Sequence, residues 1–540
     1  MSKRVVVASG YFNPLHYGHV SYLQKAKDEG DCLIVIVNND RQLAMKSPGP
    51  PLFMPARERV KLVRSLACVD CAVEAIDDDL TVCQTLRKLH PDAFANGGQT
   101  HASPEEAQVC RELGIQIIDG LGIEVLVLQP FTQHYDWGKP KEESLVAKFS
   151  GDEEVMKAEP SKPYAELWMG DHPSGPSSVK NSSHGETSCL RTTLRRSPSM
   201  LGEKLKKDGQ LPFLLKILSI HKALSIQAHP DKVRAQRLHA ERPQVYKDGN
   251  HKPEIAIALT DFEALCGFRP VEDLVRFLDH VPEFVAMIGD VEAEGLRKSV
   301  GDAKQEEAAL KAAFARMMHQ PNAFVKEQAR ALVARVREVS TDDGLHRCLD
   351  EAFALVERLN NQFPEDIGIF HVFFLNYAKM HVGDCLYMPQ NTPHAYLSGD
   401  IVECMACSDN VVRGGLTSKN KDVEVLCEML NYTGGPAPMI APKELASGTW
   451  LYADAELEEF QVTHMKIPAN GKRRTCFSWQ GPAIVLCYHG AGSVAMSEET
   501  VPLSPGVCFM LAAGVEPEIQ AESDLDVFVA CCPPQYFNRK

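Results

Sequence analysis

Two rhythms of apolar and polar positions divide this chain. In the opening stretch, apolar runs short enough for a single strand, such as Val5-Val-Val-Ala and Leu33-Ile-Val-Ile-Val, alternate with segments whose apolar residues recur three and four apart. The alternation predicts strands over 4–9, 32–38, 71–76, 92–95 and 116–118, with helices over 18–29, 55–67, 82–89 and 104–113. Strands and helices in turn form a doubly wound parallel sheet, and ligands of such sheets bind beyond the carboxyl ends of the strands.

From Glu124 the rhythm changes. Val125-Leu-Val-Leu-Gln and the almost wholly apolar stretch 211–230 are strand-like, as is Glu254-Ile-Ala-Ile-Ala-Leu. Over 271–361 the spacing returns to three and four, as at Leu274, Phe277 and Leu278, and the segments 306–318 and 324–339 are dense in good helix formers. Strand-like sequence resumes at 370–377. The tail repeats it at 460–467, 483–488, 506–512 and 526–531 between Gly and Pro turns, a pattern that indicates a jelly roll. Residues 174–198, rich in Ser, Gly and Pro, are expected to form an exposed loop, and their Arg195-Arg-Ser197-Pro sequence marks a solvated loop more readily than a kinase site. The expected division is 1–122, an α/β domain; 123–269 and 367–445, one β domain; 270–366, a helical insertion; and 446–540, a second β domain.

Composition narrows the partners. With 540 residues and about 150 per domain, several domains are expected. The formal charge of -15 falls mostly after residue 122: the first part carries 13 Lys+Arg against 15 Asp+Glu (-2), leaving 44 against 57 (-13). Neither part has the basic stripe that nucleic acid requires. No apolar run approaches the ~18 residues of a membrane span, and the N-terminus is expected to be a strand rather than a signal peptide. A cytoplasmic protein is expected, its 17 cysteines reduced. The pairs Cys68/Cys71 and Cys404/Cys407 lie too far apart in sequence to make a zinc ribbon.

Two stretches carry candidate chemistry. Gln227 and His229 are two apart at the end of an apolar run, so a strand presents both on one face. With Glu254 in a second strand and a distant His, they could hold a metal ion or form a buried polar cluster. His394, just past a Pro turn, is placed to join them or to be a satisfied polar residue. Near the N-terminus stands Gly10-Tyr-Phe-Asn13-Pro-Leu-His16-Tyr-Gly18-His19, between a predicted strand and helix. There Gly18 lets a phosphate approach the backbone, the helix N-terminus favours anions, and two imidazoles can stabilise a transferring phosphoryl group.

The His16-Tyr-Gly18-His19 signature in that setting resembles the cytidylyltransferase-like nucleotidyltransferases. Residues 4–122, through Ala-Met-Lys46, Arg57-Glu-Arg-Val and Cys-Val-Asp, look like the sugar-phosphate adenylyltransferases of the heptose type. The resemblance implies a nucleotide site of Asn13, His16, Gly18, His19 and Lys46, taking ATP or CTP with Mg2+ and a sugar phosphate. Asn13 stands where many members have Asp, and the late Ser-Ser phosphate motif of the family is missing. Active nucleotidyl transfer and a retained nucleotide-binding or structural domain are both open.

The remainder resembles type I mannose-6-phosphate isomerases. The likeness runs through Gln-His-Tyr-Asp-Trp-Gly138, Leu-Ser-Ile-Gln227-Ala-His229-Pro, His-Lys252-Pro-Glu254, Leu265-Cys-Gly-Phe-Arg-Pro, Pro-His394-Ala-Tyr-Leu-Ser-Gly-Asp and Glu403-Cys-Met-Ala-Cys-Ser-Asp-Asn. It implies two jelly-roll (cupin) domains with a helical insertion. It also implies one Zn2+ on Gln227, His229, Glu254 and His394, catalysis by Arg413, and phosphate held by Ser225 and Lys419. Lys252 and Glu403 are the acid/base candidates. The implied reaction interconverts D-mannose 6-phosphate and D-fructose 6-phosphate through a cis-enediol, feeding GDP-mannose and sugar-nucleotide synthesis. Two other readings stand beside it. One is a non-catalytic cupin sensor of sugar phosphate or metal with a degenerate nucleotide-binding domain; the other is a cupin iron dioxygenase, which would prefer a richer His set.

Overall fold

The computed structural model describes residues 3–46, 53–97, 102–151, 162–180, 187–338, 347–474, 480–496 and 500–538. The chain divides into two compact units. One holds residues 1–129, 170–211 and 465–540, the other residues 130–169 and 212–464.

In the first unit the N-terminal strands Val5–Gly10, Cys32–Val37, Cys71–Glu74, Ala93–Ala95 and Gln116–Ile118 form a parallel sheet in the order 3-2-1-4-5. Val6 and Ala8 enter one core cluster and Val7 the other, so helices bury both faces. That is why the first strand is apolar throughout rather than alternating. The helix Pro104–Leu113 begins and ends where its sequence says it should. Ser103 and Glu106 form a reciprocal capping box, Pro104 occupies the first turn, and Gly114 closes it at φ +70. One helix lies outside the predicted pattern, Asp40–Lys46. It is held to the sheet by the wholly buried Arg59, which donates to the carbonyls of Tyr11 and Asn38 and to Asp40 Oδ1.

The same unit contains antiparallel strands Val125–Gln129, Cys508–Leu511, Ala483–His489 and Leu525–Cys531, neighbours in that order. Strand Ser178–Lys180 extends this sheet beside Val125–Gln129, and Thr187–Cys189 pairs with it in turn. The exposed loop expected over 174–198 is therefore corrected: within the described residues it contains two strands and the helix Leu190–Arg196. Residues 181–186 lie outside the described residues. Leu190 and Leu194 are fully buried and Ser197 is 1% exposed, which keeps the Arg-Arg-Ser-Pro sequence from a kinase. Two leucines four apart were enough to fold a segment of otherwise loop-like composition onto the core.

In the second unit everything turns on the strand His394–Ala406. Its first residues pair with Phe262–Phe268 and, at His394, with Ile226–Ala228. From Gly399 onward it pairs instead with Phe213–Ile220 and Glu254–Ala258. Gly399 sits at the corner with φ +110, and a Cβ there would lie 2.6 Å from the Asp261 carbonyl oxygen, so only glycine fits. A single strand thereby belongs to two sheets and brings residues from both to one place.

The helical part comprises Val271–Leu278, Pro282–Ile288, Asp290–Ser299, Ala303–Met318, Asn322–Glu338 and Arg347–Gln362. The strand expected over 370–377 is corrected at its beginning. Ile367–Phe370 is a 3-10 turn, His371–Phe374 is helical, and strand begins only at Leu375. A continuous apolar run does not by itself distinguish strand from buried helix. Here the rings decide, since Phe373 packs on Phe277 and Phe284, and Phe374 on Phe268, Phe284 and Phe314.

His371 lies in this aromatic core, fully buried against Phe314. Burial pushes its pKa from 6.5 down to about 4, opposed by the Ile367 carbonyl and Asp366. Below its ordinary pKa the unfolded chain binds the proton that the folded chain refuses, so stability is lost as pH falls. We expect about 2 kcal/mol to disappear from His371 alone between pH 7 and pH 5. Urea titrations across that window should show the loss, and His371→Leu should flatten this part of the profile.

Candidate metal centre and nucleotide site

The second unit gathers His229, Glu254 and His394 from three different strands or strand ends. All three are buried, and one ligand atom from each lies within 4.8 Å of the others. His229 Nε2 is 3.5 Å and His394 Nε2 is 3.3 Å from Glu254 Oε2. Each imidazole is oriented from behind. Nδ1–H of His229 donates to the Asn410 carbonyl at 2.7 Å, and Nδ1–H of His394 to the Thr392 carbonyl at 3.0 Å. Those bonds set the tautomer, leaving a bare Nε2 lone pair on each ring aimed into the cluster. Asn410 is itself braced, its amide donating to the carbonyls of Asp248 and Asn250.

His229 Nε2, His394 Nε2 and Glu254 Oε2 are all buried without a hydrogen-bond partner. Three acceptors facing one another with no donor between them are unfavourable unless a cation satisfies them. The spacing suits a small tetrahedral ion, for bonds near 2.1 Å give ligand–ligand edges of about 3.4 Å. Gln227 stands beside this set: its backbone is in register with His394 on one side and with Arg413 on the other. The loops are tied as well. Asn391, at φ +62, donates its N–H to the His229 carbonyl and accepts from the Asp231 N–H through its side chain.

A ring of charge surrounds the cluster. Lys252 Nζ lies 3.0 Å from Glu254 Oε1. Burial alone would raise the Glu254 pKa, but Lys252 and His229 outweigh it and hold the carboxyl well below its usual range. Glu403, also buried, accepts from Tyr396 Oη at 2.9 Å and pairs with Lys216 at 2.9 Å. Its pKa is raised, first by burial and further by Glu254, against the pull of Lys216. Lys216 reaches Glu166 too, at 3.3 Å. Lys216, Glu166 and Tyr396 are not among the residues that the sequence singles out. The signal for Lys216 was present, a single charge in the otherwise apolar strand Phe213–Ile220, which has to be paired if the strand is buried.

Arg413 lies in the strand Val412–Gly415, half-buried, and its side chain makes no ion pair or hydrogen bond among the described residues. Burial lowers its pKa from the ordinary value. Ser225 immediately precedes the strand Ile226–Ala228, whose Ile226 is in register with Gly415, so Ser225 and the segment leading to the exposed Lys419 leave the same edge.

The sequence-predicted nucleotide residues also come together, in the first unit. The His16 and His19 rings lie 3.7 Å apart, and Phe12 packs edge-on against His19. Gly18 is the second residue of the helix Tyr17–Asp28. Lys46, last residue of the unpredicted helix, places its ammonium 4.3 Å over the Tyr11 ring. Burial, then His16 and Lys46, push the His19 pKa down to about 4. Asn13 Oδ1 and His19 Nδ1 are buried without a partner. This arrangement stands beyond the carboxyl end of the first strand, where a parallel sheet binds its ligands.

Among the described residues no helix is long and apolar enough to cross a membrane. Comparison with known proteins assigns three regions. Residues 7–128 match a cytidylyltransferase-like family, residues 125–271 the phosphomannose isomerase type I catalytic domain, and residues 287–375 the helical insertion domain of that family. Mannose-6-phosphate isomerase of Schizosaccharomyces pombe is 40% identical over 410 residues, spanning 74% of this chain and 97% of that protein. The enzyme of Mus musculus is 40% identical over 419 residues, 76% of this chain and 98% of that one. Among solved structures, a zinc-bound mannose 6-phosphate isomerase superposes with a TM-score of 0.64 at 25% identity, covering 76% of this chain and all of its own. A phosphomannose isomerase from Salmonella typhimurium superposes with the same score and coverage. Relatives this similar, matched over nearly their full length, mean that the chain belongs to the type I phosphomannose isomerase family, with a cytidylyltransferase-like domain at its N-terminal end.

Proposed function

We propose that this chain interconverts D-mannose 6-phosphate and D-fructose 6-phosphate by moving a proton between C1 and C2 through a cis-enediol. The observation that carries the reading is the set of three inward, partnerless acceptors on His229, Glu254 and His394. Gln227 completes a ligand set suited to Zn2+. With one carboxylate among neutral ligands, the bound ion would remain electron-poor and act as a Lewis acid. Arg413 supplies fixed positive charge for the enediolate, since its guanidinium is not spent on any ion pair among the described residues. Ser225 and Lys419 would anchor the 6-phosphate.

Lys252 is the better candidate for the group that exchanges the proton. Both oxygens of Glu403 are engaged, by Tyr396 and Lys216, whereas Lys252 spends one contact on Glu254 and its ammonium has further N–H groups to offer a substrate. In this reading Glu403 and Lys216 form the buried counter-charge that steadies the site. The strand that changes sheets at Gly399 supports a cupin jelly roll for this part, and the antiparallel strands of the tail a second one. A cytoplasmic enzyme supplying sugar-nucleotide synthesis fits the same reading. The test is conversion of mannose 6-phosphate to fructose 6-phosphate by the purified chain reconstituted with zinc. Tight sugar-phosphate binding without turnover would favour the cupin sensor, and catalytic iron in place of zinc the dioxygenase.

For the first 122 residues we propose a nucleotide site of Asn13, His16, Gly18, His19 and Lys46, taking ATP or CTP with Mg2+. Its support is the pair of partnerless buried atoms on Asn13 and His19 beside the Lys46 ammonium. Pyrophosphate release by the full chain across sugar 1-phosphates and both nucleotides tests whether it transfers. Mannose 6-phosphate must become a 1-phosphate before any such transfer, so the two chemistries are expected to be independent. His16→Ala should therefore leave isomerisation within about twofold of the unmodified chain, as for sites that share no partners. A folded His16→Ala protein without isomerase activity would end that picture.

A further inference from the structure

The strand Val412–Gly415 carries Arg413, and the chain leaving it leads to Lys419. What holds that segment is a carboxylate from the end of the helical part. Asp366 Oδ1 accepts from the Leu416 N–H at 2.6 Å and from the Gly368 N–H at 2.7 Å, while its second oxygen faces the Thr417 N–H at 3.5 Å. Asp366 thus caps the 3-10 turn Ile367–Phe370 and clasps the outgoing segment with the same oxygen. It makes no ion pair among the described residues, so its interactions are directed at these backbone amides.

Two further features show how closely the pieces are drawn together. A Cβ on Gly368 would fall 2.6 Å from Leu416 N, and a Cβ on Gly415 would fall 2.6 Å from Gly368 Cα. The two backbones meet face to face, with no room for a side chain between them. Leu416 itself is held at φ +52, a conformation a leucine rarely adopts unless its surroundings impose it. Within the strand, a Cβ on Gly414 would lie 3.3 Å from His371 Nε2, so the short helix His371–Phe374 packs against it as well.

We propose that Asp366 is a positioning residue for substrate phosphate: by clasping the Leu416 and Thr417 amides it sets the course of the segment from Arg413 to Lys419. The helical part, which brings no proposed ligand or acid/base group, would then contribute to substrate recognition through this one carboxylate. The inference rests on the isomerase reading for the roles of Arg413 and Lys419, and on the geometry alone for the clasp.

The test compares Asp366→Ala, Asp366→Asn and Gly368→Ala in the full, zinc-loaded chain. Loss of the acceptor should raise KM for mannose 6-phosphate about tenfold or more, because small displacements of a binding group are costly. Inhibition by inorganic phosphate should weaken in parallel, while zinc content stays that of the unmodified protein. Asp366→Asn, which keeps an acceptor oxygen, should recover most of the lost affinity, whereas Asp366→Leu, which keeps the bulk without an acceptor, should not; a packing role predicts recovery in both. Gly368→Ala, which pushes the two backbones apart, should resemble Asp366→Ala and carries the test if that variant does not fold. KM and phosphate inhibition within about twofold of the unmodified chain in both disruptive variants would overturn the inference. So would a defect that Asp366→Asn fails to relieve. If the unmodified chain does not isomerise, the isomerase reading fails, and protection by inorganic phosphate against thermal unfolding still decides whether Asp366 organises an anion site.

Discussion

Arg413→Ala is expected to reduce kcat by about a thousandfold or more while leaving the protein folded and its metal in place. Removing one preorganised donor from a developing oxyanion typically costs 10²–10³ in rate, and here the donor also carries a full charge. The side chain is half-buried yet makes no ion pair among the described residues, so its removal leaves no partner stranded and little stability is lost. Its backbone neighbour in the ladder is Gln227, which places the guanidinium's strand directly against the strand that leads to His229. Arg413→Lys should recover only part of the rate, since an ammonium restores the charge but not the planar fork. Steady-state kinetics with parallel metal analysis checks this. An Arg413→Ala enzyme retaining a tenth of the activity would remove Arg413 from the reaction.

The second large effect concerns the metal. Exhaustive chelation should stop isomerisation, and added zinc should restore it. His394→Ala should resist that restoration, because it removes one of the three convergent acceptors together with its Thr392 anchor. A second readout does not depend on turnover. Without a cation, His229 Nε2, His394 Nε2 and Glu254 Oε2 have no buried partner, so metal binding should raise the thermal midpoint of the unmodified chain by mass action. The same addition should do much less for His394→Ala. Activity unchanged after complete metal removal would end the zinc assignment, whatever the cluster's geometry.

How much of this was legible beforehand depended on whether the signal was local. The helix Pro104–Leu113 could be placed to the residue because its start and stop are written in adjacent side chains, Ser103, Pro104, Glu106 and Gly114. The strand Gln116–Ile118 is likewise legible in the sequence. Where a run is apolar on every side, as at 367–374, the sequence shows that it will be buried but not in which conformation; aromatic rings from three helices and a strand settle that. In 174–198 composition misled. Small polar residues suggested a loop, while Leu190 and Leu194 supplied enough burial to hold a helix.

The chemical centre divides the same way. Residue identity and short spacing determined the donors on offer: Gln227 and His229 two apart, Glu254 opening a strand, His394 after a Pro turn, and His16 with His19 at a helix start. They also determined a chain without a membrane-length apolar run or a basic stripe. Only the tertiary structure decided which of those donors meet. It took the corner at Gly399 to bring His394 in one sheet and Glu403 in another onto the same strand. It took a carbonyl 181 residues away, at Asn410, to fix the tautomer of His229. The pairing of Lys216 with Glu403, and the clasp of Asp366 on Leu416, likewise join segments remote in sequence. Local patterns record what each side chain can donate or accept, whereas its pKa, tautomer and aim are set by neighbours that only folding supplies.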